Sequence, residues 1–165
     1  MTAIDELLER RGQDPHPFGT VPPATSAEPA LHVCVLTCMD TRINVPGVFR
    51  LQPGEAHILR NAGGVVTDDV IRSVALSQRH LGTTELLVMG HTTCGLSTIT
   101  DEGFKDELEA DTGVRPDWPV DAFDDVHTSV RRSVERARTN PFLPHRDGVR
   151  GFVYDITTGD VTEVD

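Results

Sequence analysis

The chain has 165 residues, of which 38% are hydrophobic and 25% charged, and this composition predicts a single globular domain with an ordinary buried core. A formal net charge of −11, from 26 acidic and 15 basic residues, argues against a surface that binds nucleic acid or an anionic membrane. Because no apolar stretch approaches the roughly 18 residues of a membrane span and no apolar leader is visible, we expect neither a transmembrane helix nor a signal peptide.

Three cysteines, Cys34, Cys38 and Cys94, limit the kind of site and the compartment. An odd number of cysteines in a chain of this length argues against a disulfide framework and favours a metal site or a reactive thiol. We therefore expect a reducing compartment, the cytoplasm.

The first 30 residues are expected to form an N-terminal arm. Thr2 and Asp5 resemble a capping box for a short helix that runs through about Arg11 and is closed by Gly12, and so short a helix must dock on something to persist. Residues 13–30 hold five prolines and show little periodicity. This pattern predicts an ordered tether rather than a linker between domains.

An apolar run at residues 31–37 predicts the first strand, with Cys34 as a small core residue. The motif C-M-D-T-R at 38–42 follows directly beyond the carboxyl end of this strand. A brief helix over 45–51 and a second short strand over 56–59 come next.

The second strand leads into R-N-A-G-G at residues 60–64, whose glycines indicate a tight backbone turn. Residues 68–81 then carry apolar side chains at helical spacing. Asp68 and Asp69 are favourable at the positive, N-terminal end of a helix dipole, and Gly82 is typical of the position just after a helix ends. We therefore predict a helix here.

A third apolar strand, residues 84–90, runs directly into H-T-T-C-G at 91–95. Two predicted strands therefore end in potential metal ligands. The remaining predicted elements are helices near 101–110 and 121–138 and closing strands over 149–155 and 161–164.

Apolar strands that alternate with helices predict an α/β fold of three layers, with a mostly parallel central sheet and helices on both faces. The expected strand order is 2-1-3-4 with a further edge strand. In such sheets ligands bind beyond the carboxyl ends of the strands, where the strand order reverses. With strands 1 and 3 adjacent, Cys38 would meet His91 and Cys94 in that crevice.

Thiolate and imidazole are preferred zinc ligands, and His91 with Cys94 forms an H-x-x-C pair to which Cys38 could add a third ligand. Three protein ligands leave one tetrahedral position open, as in catalytic zinc sites. Asp40 could close that position, or Arg42 could draw its carboxylate away into a bidentate ion pair. An open site would lower the pKa of bound water towards neutrality and supply a hydroxide, which Asp40 would orient.

Each motif also fits an ordinary structural role when it is taken alone. C-x-D-x-R after a strand is more often a turn with a surface ion pair, and H-x-x-C fits a buried thiol with a capping histidine. The pair Gly63-Gly64 lacks G-x-G-x-x-G spacing, so a dinucleotide site is poorly supported.

Taken together, C-M-D-T-R at 38–42, R-N-A-G-G at 60–64 and H-T-T-C-G at 91–95 resemble the β-class carbonic anhydrases. The resemblance covers roughly residues 30–156. The chain length and the stretch V-V-T-D-D-V-I-R-S at 65–73 are similar to the short actinobacterial members of this class.

The resemblance implies one Zn²⁺ per chain held by Cys38, His91 and Cys94. Asp40 would be either the fourth ligand or, paired to Arg42, the partner of a zinc-bound water. The reaction would be the reversible hydration of carbon dioxide to bicarbonate and a proton by a zinc-bound hydroxide, which makes the protein a carbonate dehydratase.

The resemblance also implies a homodimer or tetramer whose sheet extends across the dimer. Residues 1–165 would form a single domain of this class, with residues 1–30 as an arm wrapping a neighbour. No glutamine lies between Gln13 and Gln52, where many plant-like members carry one that helps to bind substrate. Substrate contacts would therefore come from groups such as Ala62 and Gly63.

His57 stands where some members carry an aromatic residue facing the pocket, and it would either relay protons or fill space.

Three alternative functions remain. The first is a carbonyl sulfide or carbon disulfide hydrolase on the same fold, the second a non-catalytic zinc protein in which Asp40 stays bound, and the third a thiol redox sensor. The pair of Asp40 and Arg42 favours catalysis, because a structural zinc site has no use for an arginine that removes its fourth ligand.

Overall fold

The computed structural model describes residues 2–13 and 26–165, so most of the predicted tether lies outside the described residues. The assignment of residues 1–30 as an arm stays a prediction. The five helices of the described part are α1 Ala3–Gln13, α2 Val45–Phe49, α3 Asp68–His80, α4 Asp101–Thr112 and α5 Val126–Arg138. The strands are β1 Val33–Cys38, β2 Ala56–Asn61, β3 Glu85–His91, β4 Val149–Tyr154 and β5 Val161–Val164.

The strands form one five-stranded sheet in the order β2-β1-β3-β4-β5. β2, β1, β3 and β4 are parallel to their neighbours, and β5 pairs antiparallel with β4 at the edge. The predicted α/β class and strand order are confirmed. The residues of β1 are mostly apolar in succession, instead of alternating between apolar and polar, because both faces of the sheet are covered.

Two apolar clusters lie on opposite faces of the sheet because successive strand residues point to opposite sides. α3 and α5 cover one face, where Val74 and Val130 pack with Leu36 and Val88. Full burial of each such side chain stabilises the fold by about 1.5–3 kcal/mol. The other face is covered by α2 together with irregular segments, and its cluster includes Val35, Ile43, Val45, Met89 and Phe123.

Helix α3 begins and ends where the sequence predicts. The Thr67 hydroxyl accepts a hydrogen bond from the backbone N–H of Val70 and caps the first turn. Beyond the last turn Gly82 adopts a φ of +70°, a conformation that glycine takes without strain.

Helix α5 begins at Val126, five residues later than predicted. The Asp101 carboxylate accepts hydrogen bonds from the backbone N–H groups of Val120 and Ala122, at 3.2 and 2.8 Å, and holds this segment out of helical conformation. Asp125 then caps the helix by accepting from the N–H of Thr128.

The capping box predicted for α1 is present. The Thr2 hydroxyl accepts from the N–H of Asp5 at 3.2 Å, and the Asp5 carboxylate accepts from the N–H of Thr2 at 2.7 Å. The helix continues through Gly12 to Gln13, about two residues beyond the predicted end near Arg11, so Gly12 does not close it. Among the described helices, none is long and apolar enough to cross a membrane.

Candidate metal centre

The parallel strands β1 and β3 bring the predicted zinc ligands to one edge of the sheet. Cys38 is the last residue of β1, His91 is the last residue of β3, and Cys94 follows three residues later. All three are at most 5% exposed. Residues from separate strands thus form one buried cluster, which we call the Cys–His–Cys group.

The spacing within the Cys–His–Cys group fits a tetrahedral metal ion. One candidate ligand atom from each residue lies within 4.8 Å of the others. The two sulfur atoms are 4.0 Å apart, close to the separation of about 3.8 Å expected for two thiolates on a tetrahedral zinc. None of the three cysteines forms a disulfide.

His91 is oriented as a metal ligand would be. Its Nδ1 lies 2.9 Å from the carbonyl oxygen of Thr92, and because a carbonyl only accepts, this nitrogen carries the proton. When the ring is neutral, as a metal ligand must be, Nε2 is then an acceptor. This atom is buried and has no hydrogen-bond partner among the described residues, an arrangement that costs free energy unless something binds there.

The two thiols of the Cys–His–Cys group differ in acidity in the metal-free protein. Burial raises the pKa of Cys38, but the His91 imidazole and the backbone N–H groups of Asp40 and Gly63 outweigh it and lower the pKa to about 7. Burial raises the pKa of Cys94 to about 11, and the nearby Cys38 sulfur adds to this effect. Metal binding requires both as thiolates, so it releases protons.

Asp40 lies beside the Cys–His–Cys group, and its carboxylate is bound to Arg42. The guanidinium donates from Nε to Oδ1 at 2.9 Å and from Nη2 to Oδ2 at 2.6 Å. Oδ2 is 3.9 Å from Nε2 of His91. The hydrogen bonds from Arg42 hold the pKa of Asp40 far below its usual range, so the carboxylate is ionised.

Arg60 is a residue of the candidate site that sequence reasoning missed. Its guanidinium donates to the carbonyl oxygens of Cys38, Asp40 and Ile43, at 3.0, 2.5 and 3.0 Å. These bonds hold the loop that carries Cys38 and Asp40. The available signal was an arginine near the end of β2, which neighbours the ligand strand β1, within R-N-A-G-G.

The glycines of R-N-A-G-G let the turn after β2 approach the end of β1. A Cβ on Gly64 would lie 2.8 Å from the backbone N of Cys38, and the residue has a φ of +65°, so only glycine fits there. Asn61 closes the turn by accepting from the N–H of Val65 and donating to its carbonyl.

The two predicted substrate contacts lie in different environments. Ala62 lines a mostly apolar cavity of about 550 Å³ together with Leu96 and with Met39, which follows Cys38 in the chain; the residues of the Cys–His–Cys group do not line this cavity. Gly63 is buried, and its N–H is directed at Cys38, where it favours the thiolate. Gly63 thus acts on a candidate ligand, and Ala62 faces the open space.

His57 has a structural environment. It pairs with Cys34 in the sheet, four residues before the end of β1 at Cys38, or roughly 13 Å along the strand. Its ring nitrogens are bonded to the Ser77 hydroxyl at 2.8 Å and the Ala27 carbonyl at 3.0 Å. These contacts tie α3 to the segment before β1, so the geometry favours the space-filling interpretation over a proton relay.

Cys34 lies in the apolar cluster under α3 and α5 and is 1% exposed. Burial raises the pKa of its thiol to about 12. The residue therefore behaves as the core residue that the sequence predicts.

Comparisons with known proteins agree on one family. The family model described as "Carbonic anhydrase" matches residues 33–161. The chain is 46% identical to Beta-carbonic anhydrase 1 of Mycobacterium tuberculosis over 136 residues, which span 82% of this chain and 83% of that protein.

Two further comparisons bear on the activity and the fold. The chain is 34% identical over 149 residues to a carbon disulfide hydrolase of Acidianus sp., covering 75% of this chain and 72% of that protein. A crystal structure of carbonic anhydrase from Streptococcus mutans superposes with a TM-score of 0.89 at 38% identity, covering 100% and 99% of the two chains. The likeness thus extends over the whole described fold.

Proposed function

The chain belongs to the β-class carbonic anhydrase family, and from this premise we propose that it catalyses the zinc-dependent, reversible hydration of carbon dioxide to bicarbonate and a proton. One observation supports this activity most directly. The Asp40 carboxylate is bound to Arg42 at 2.6 and 2.9 Å, so the Cys–His–Cys group would offer a metal three protein ligands and leave one position open.

Cys38, His91 and Cys94 would hold one zinc ion per chain. Zinc at such a centre lowers the pKa of a water molecule at its open position towards neutrality and so supplies a hydroxide nucleophile at ordinary pH. The N–H groups that favour the Cys38 thiolate keep this ligand ionised, and the bond from Nδ1 of His91 to Thr92 keeps Nε2 free to bind.

Asp40 and Arg42 would act together in the reaction. Because Arg42 keeps Asp40 ionised, the carboxylate can only accept hydrogen bonds, and it would orient the nucleophile through one of them. The Asp40 side chain is 17% exposed, so it lies at the boundary between the buried centre and solvent. Arg60 would hold the backbone of the same loop in place.

The cavity that Ala62 lines, which reaches the loop after Cys38 at Met39, suits a small apolar substrate. Ala62, Met39 and Leu96 line it together with other side chains that are mainly apolar. Carbon dioxide is linear and carries no charge, so it needs an apolar route more than polar contacts. The absence of the glutamine found in plant-like members is compatible with such a route.

Carbon disulfide hydrolysis is the second candidate activity, supported by the 34% identity to the hydrolase of Acidianus sp.. Carbon disulfide and carbonyl sulfide are also linear and apolar, and a hydroxide supplied at the same centre could attack them. The width of the route to the centre would decide between these substrates. A non-catalytic zinc protein is disfavoured, because Arg42 holds Asp40 away from the position it would need to close.

We also propose that the protein is a homodimer or a tetramer. β2 is an edge strand, and within the described part of the chain it pairs with β1 alone, so a second copy could extend the sheet there. The side chains of Ile4, Leu7 and Leu8 on α1 are 62–68% exposed, an apolar face suited to cover by a neighbour. A cytoplasmic location suits a site built on two free thiols.

The test is stopped-flow carbon dioxide hydration from neutral to alkaline pH, with zinc measured in the same sample. We expect about one zinc per chain and turnover that rises with pH. Full zinc without turnover would reject carbonic anhydrase activity, and parallel assays with carbon disulfide and carbonyl sulfide would then show whether the second candidate holds.

A further inference from the structure

Thr93 has an unusual backbone conformation for its residue type. It lies between His91 and Cys94 and adopts a φ of +55°, in the left-handed region that β-branched residues rarely enter. Such strain persists only where surrounding contacts impose it, and it is concentrated at functional sites. The contacts of Thr93 therefore indicate what the strained conformation achieves.

In this conformation Thr93 presents two oxygen atoms to Arg42. Nη1 of Arg42 donates to the Thr93 hydroxyl at 3.2 Å, and Nη2 donates to the Thr93 carbonyl at 3.0 Å. The same guanidinium binds Asp40 through Nε and Nη2. Because the guanidinium is planar and rigid, bonds to Thr93 fix the orientation in which it meets Asp40.

We propose that Thr93 is a positioning residue that holds Arg42 in the orientation that draws Asp40 away from the metal position. Thr93 is not one of the candidate metal ligands, and it acts through Arg42. The open fourth position then depends on a chain of three side chains, from Thr93 through Arg42 to Asp40. This inference rests on the proposed zinc centre and adds a residue that controls its coordination.

The role of Thr93 differs from that of Arg60. Arg60 binds backbone carbonyl oxygens of the loop, including that of Asp40, and leaves the carboxylate free to turn. Thr93 instead binds the guanidinium of Arg42, and so determines where that guanidinium can hold the carboxylate. Removing the Thr93 hydroxyl should leave the loop in place and weaken only the open arrangement.

The size of the effect follows from the bond that is lost. A hydrogen bond to a charged group is removed from the open arrangement, while the carbonyl bond to Arg42 remains. We expect the ratio of open to Asp40-ligated centres to fall by about tenfold in Thr93→Val. Thr93→Ser keeps the hydroxyl and should restore the wild-type ratio.

The experiment uses the full chain loaded with cobalt(II), whose visible absorption spectrum reports the ligands of the metal. Asp40→Ala supplies the reference spectrum of a centre that the carboxylate cannot close. At one fixed pH, we expect the Thr93→Val spectrum to depart from this reference further than the wild type does, Thr93→Ser to match the wild type, and Arg42→Ala to depart most. Cobalt content and circular dichroism establish that each variant is loaded and folded, and Thr93→Ala replaces Thr93→Val if the latter does not fold.

A double-mutant cycle separates positioning from a general structural role. If Thr93 acts through Arg42, adding Thr93→Val to Arg42→Ala should change neither the spectrum nor the turnover further. Equal effects of Thr93→Val in both backgrounds, or a wild-type spectrum of the single variant, would overturn the proposal.

The spectrum also keeps this inference separate from the proposed activity. Spectral changes in the expected order, with no carbon dioxide turnover in the wild type, would support the role of Thr93 and reject the substrate. Normal turnover with an unchanged Thr93→Val spectrum would reject the role of Thr93 alone.

Discussion

The carboxylate of Asp40 lies 3.9 Å from Nε2 of His91, yet both of its oxygen atoms are bound to Arg42. The carboxylate is thus beside the metal position and turned away from it. Since Asp40 is ionised, its direction depends on the guanidinium rather than on its own protonation. Removing that guanidinium should therefore free the carboxylate to turn towards the metal position.

Arg42→Ala is expected to keep zinc at about one per chain and to reduce turnover on the order of 100-fold, because Asp40 is no longer held away from the open position. Turnover and zinc content are measured on the same sample. Arg150→Ala is a matched control, since Arg150 forms a similar two-bond ion pair with Glu163 at the far edge of the sheet. Unchanged turnover in zinc-loaded Arg42→Ala would contradict the gating role.

Cys34→Ser is expected to retain full zinc and to lower the free energy of unfolding by about 1–3 kcal/mol, because a hydroxyl replaces a thiol in an apolar cluster. Cys38→Ser, its matched counterpart at the other end of β1, should lose zinc. Metal analysis and urea unfolding measure the two effects. Loss of zinc from a folded Cys34→Ser protein would show that Cys34 belongs to the centre.

Alkylation of the metal-free protein should distinguish the three thiols. At pH ~8 a thiol with a pKa of about 7 is mostly thiolate, whereas Cys94 and Cys34, with pKa values of about 11 and 12, are almost entirely protonated. Cys38 should therefore react first with iodoacetamide, and its rate should fall as the pH drops below about 7.

Peptide mass spectrometry follows the modification of each cysteine in that experiment. Bound zinc should protect Cys38 and Cys94, whereas Cys34 should stay unreactive with or without metal because its thiol stays protonated in the apolar cluster. Labelling of all three cysteines at one rate would show that the local environments do not control their acidity.

Arg60→Ala is expected to weaken zinc binding by roughly 10- to 100-fold, because the loop that carries Cys38 and Asp40 loses three hydrogen bonds. Competition with a chelator measures the affinity. Arg60→Lys should recover only part of the loss, since an ammonium group cannot reproduce the fork of the guanidinium. Wild-type affinity in Arg60→Ala would mean that the loop holds its shape without this side chain.

Much of the fold was predictable because its signals are local. The apolar runs that became β1 and β3 are buried on both faces, and the capped, amphipathic pattern of α3 gave its limits to within one residue. Helix α5 was predicted five residues too early, because the carboxylate of Asp101 holds the preceding segment from a distance in sequence. A contact of this kind leaves no local pattern.

The sequence by itself determined which residues can form the centre, since Cys38 and His91 end two apolar strands and Cys94 follows within a short loop. Only the tertiary structure decided how the centre is arranged. The direction of Asp40 depends on Arg42, which Thr93 binds across 51 positions of the chain, and Arg60 of β2 binds the backbone of the loop that carries Asp40. Hydrogen bonds depend on distance and angle in space, and residue spacing along one strand or helix sets neither between loops that meet only when the sheet has formed.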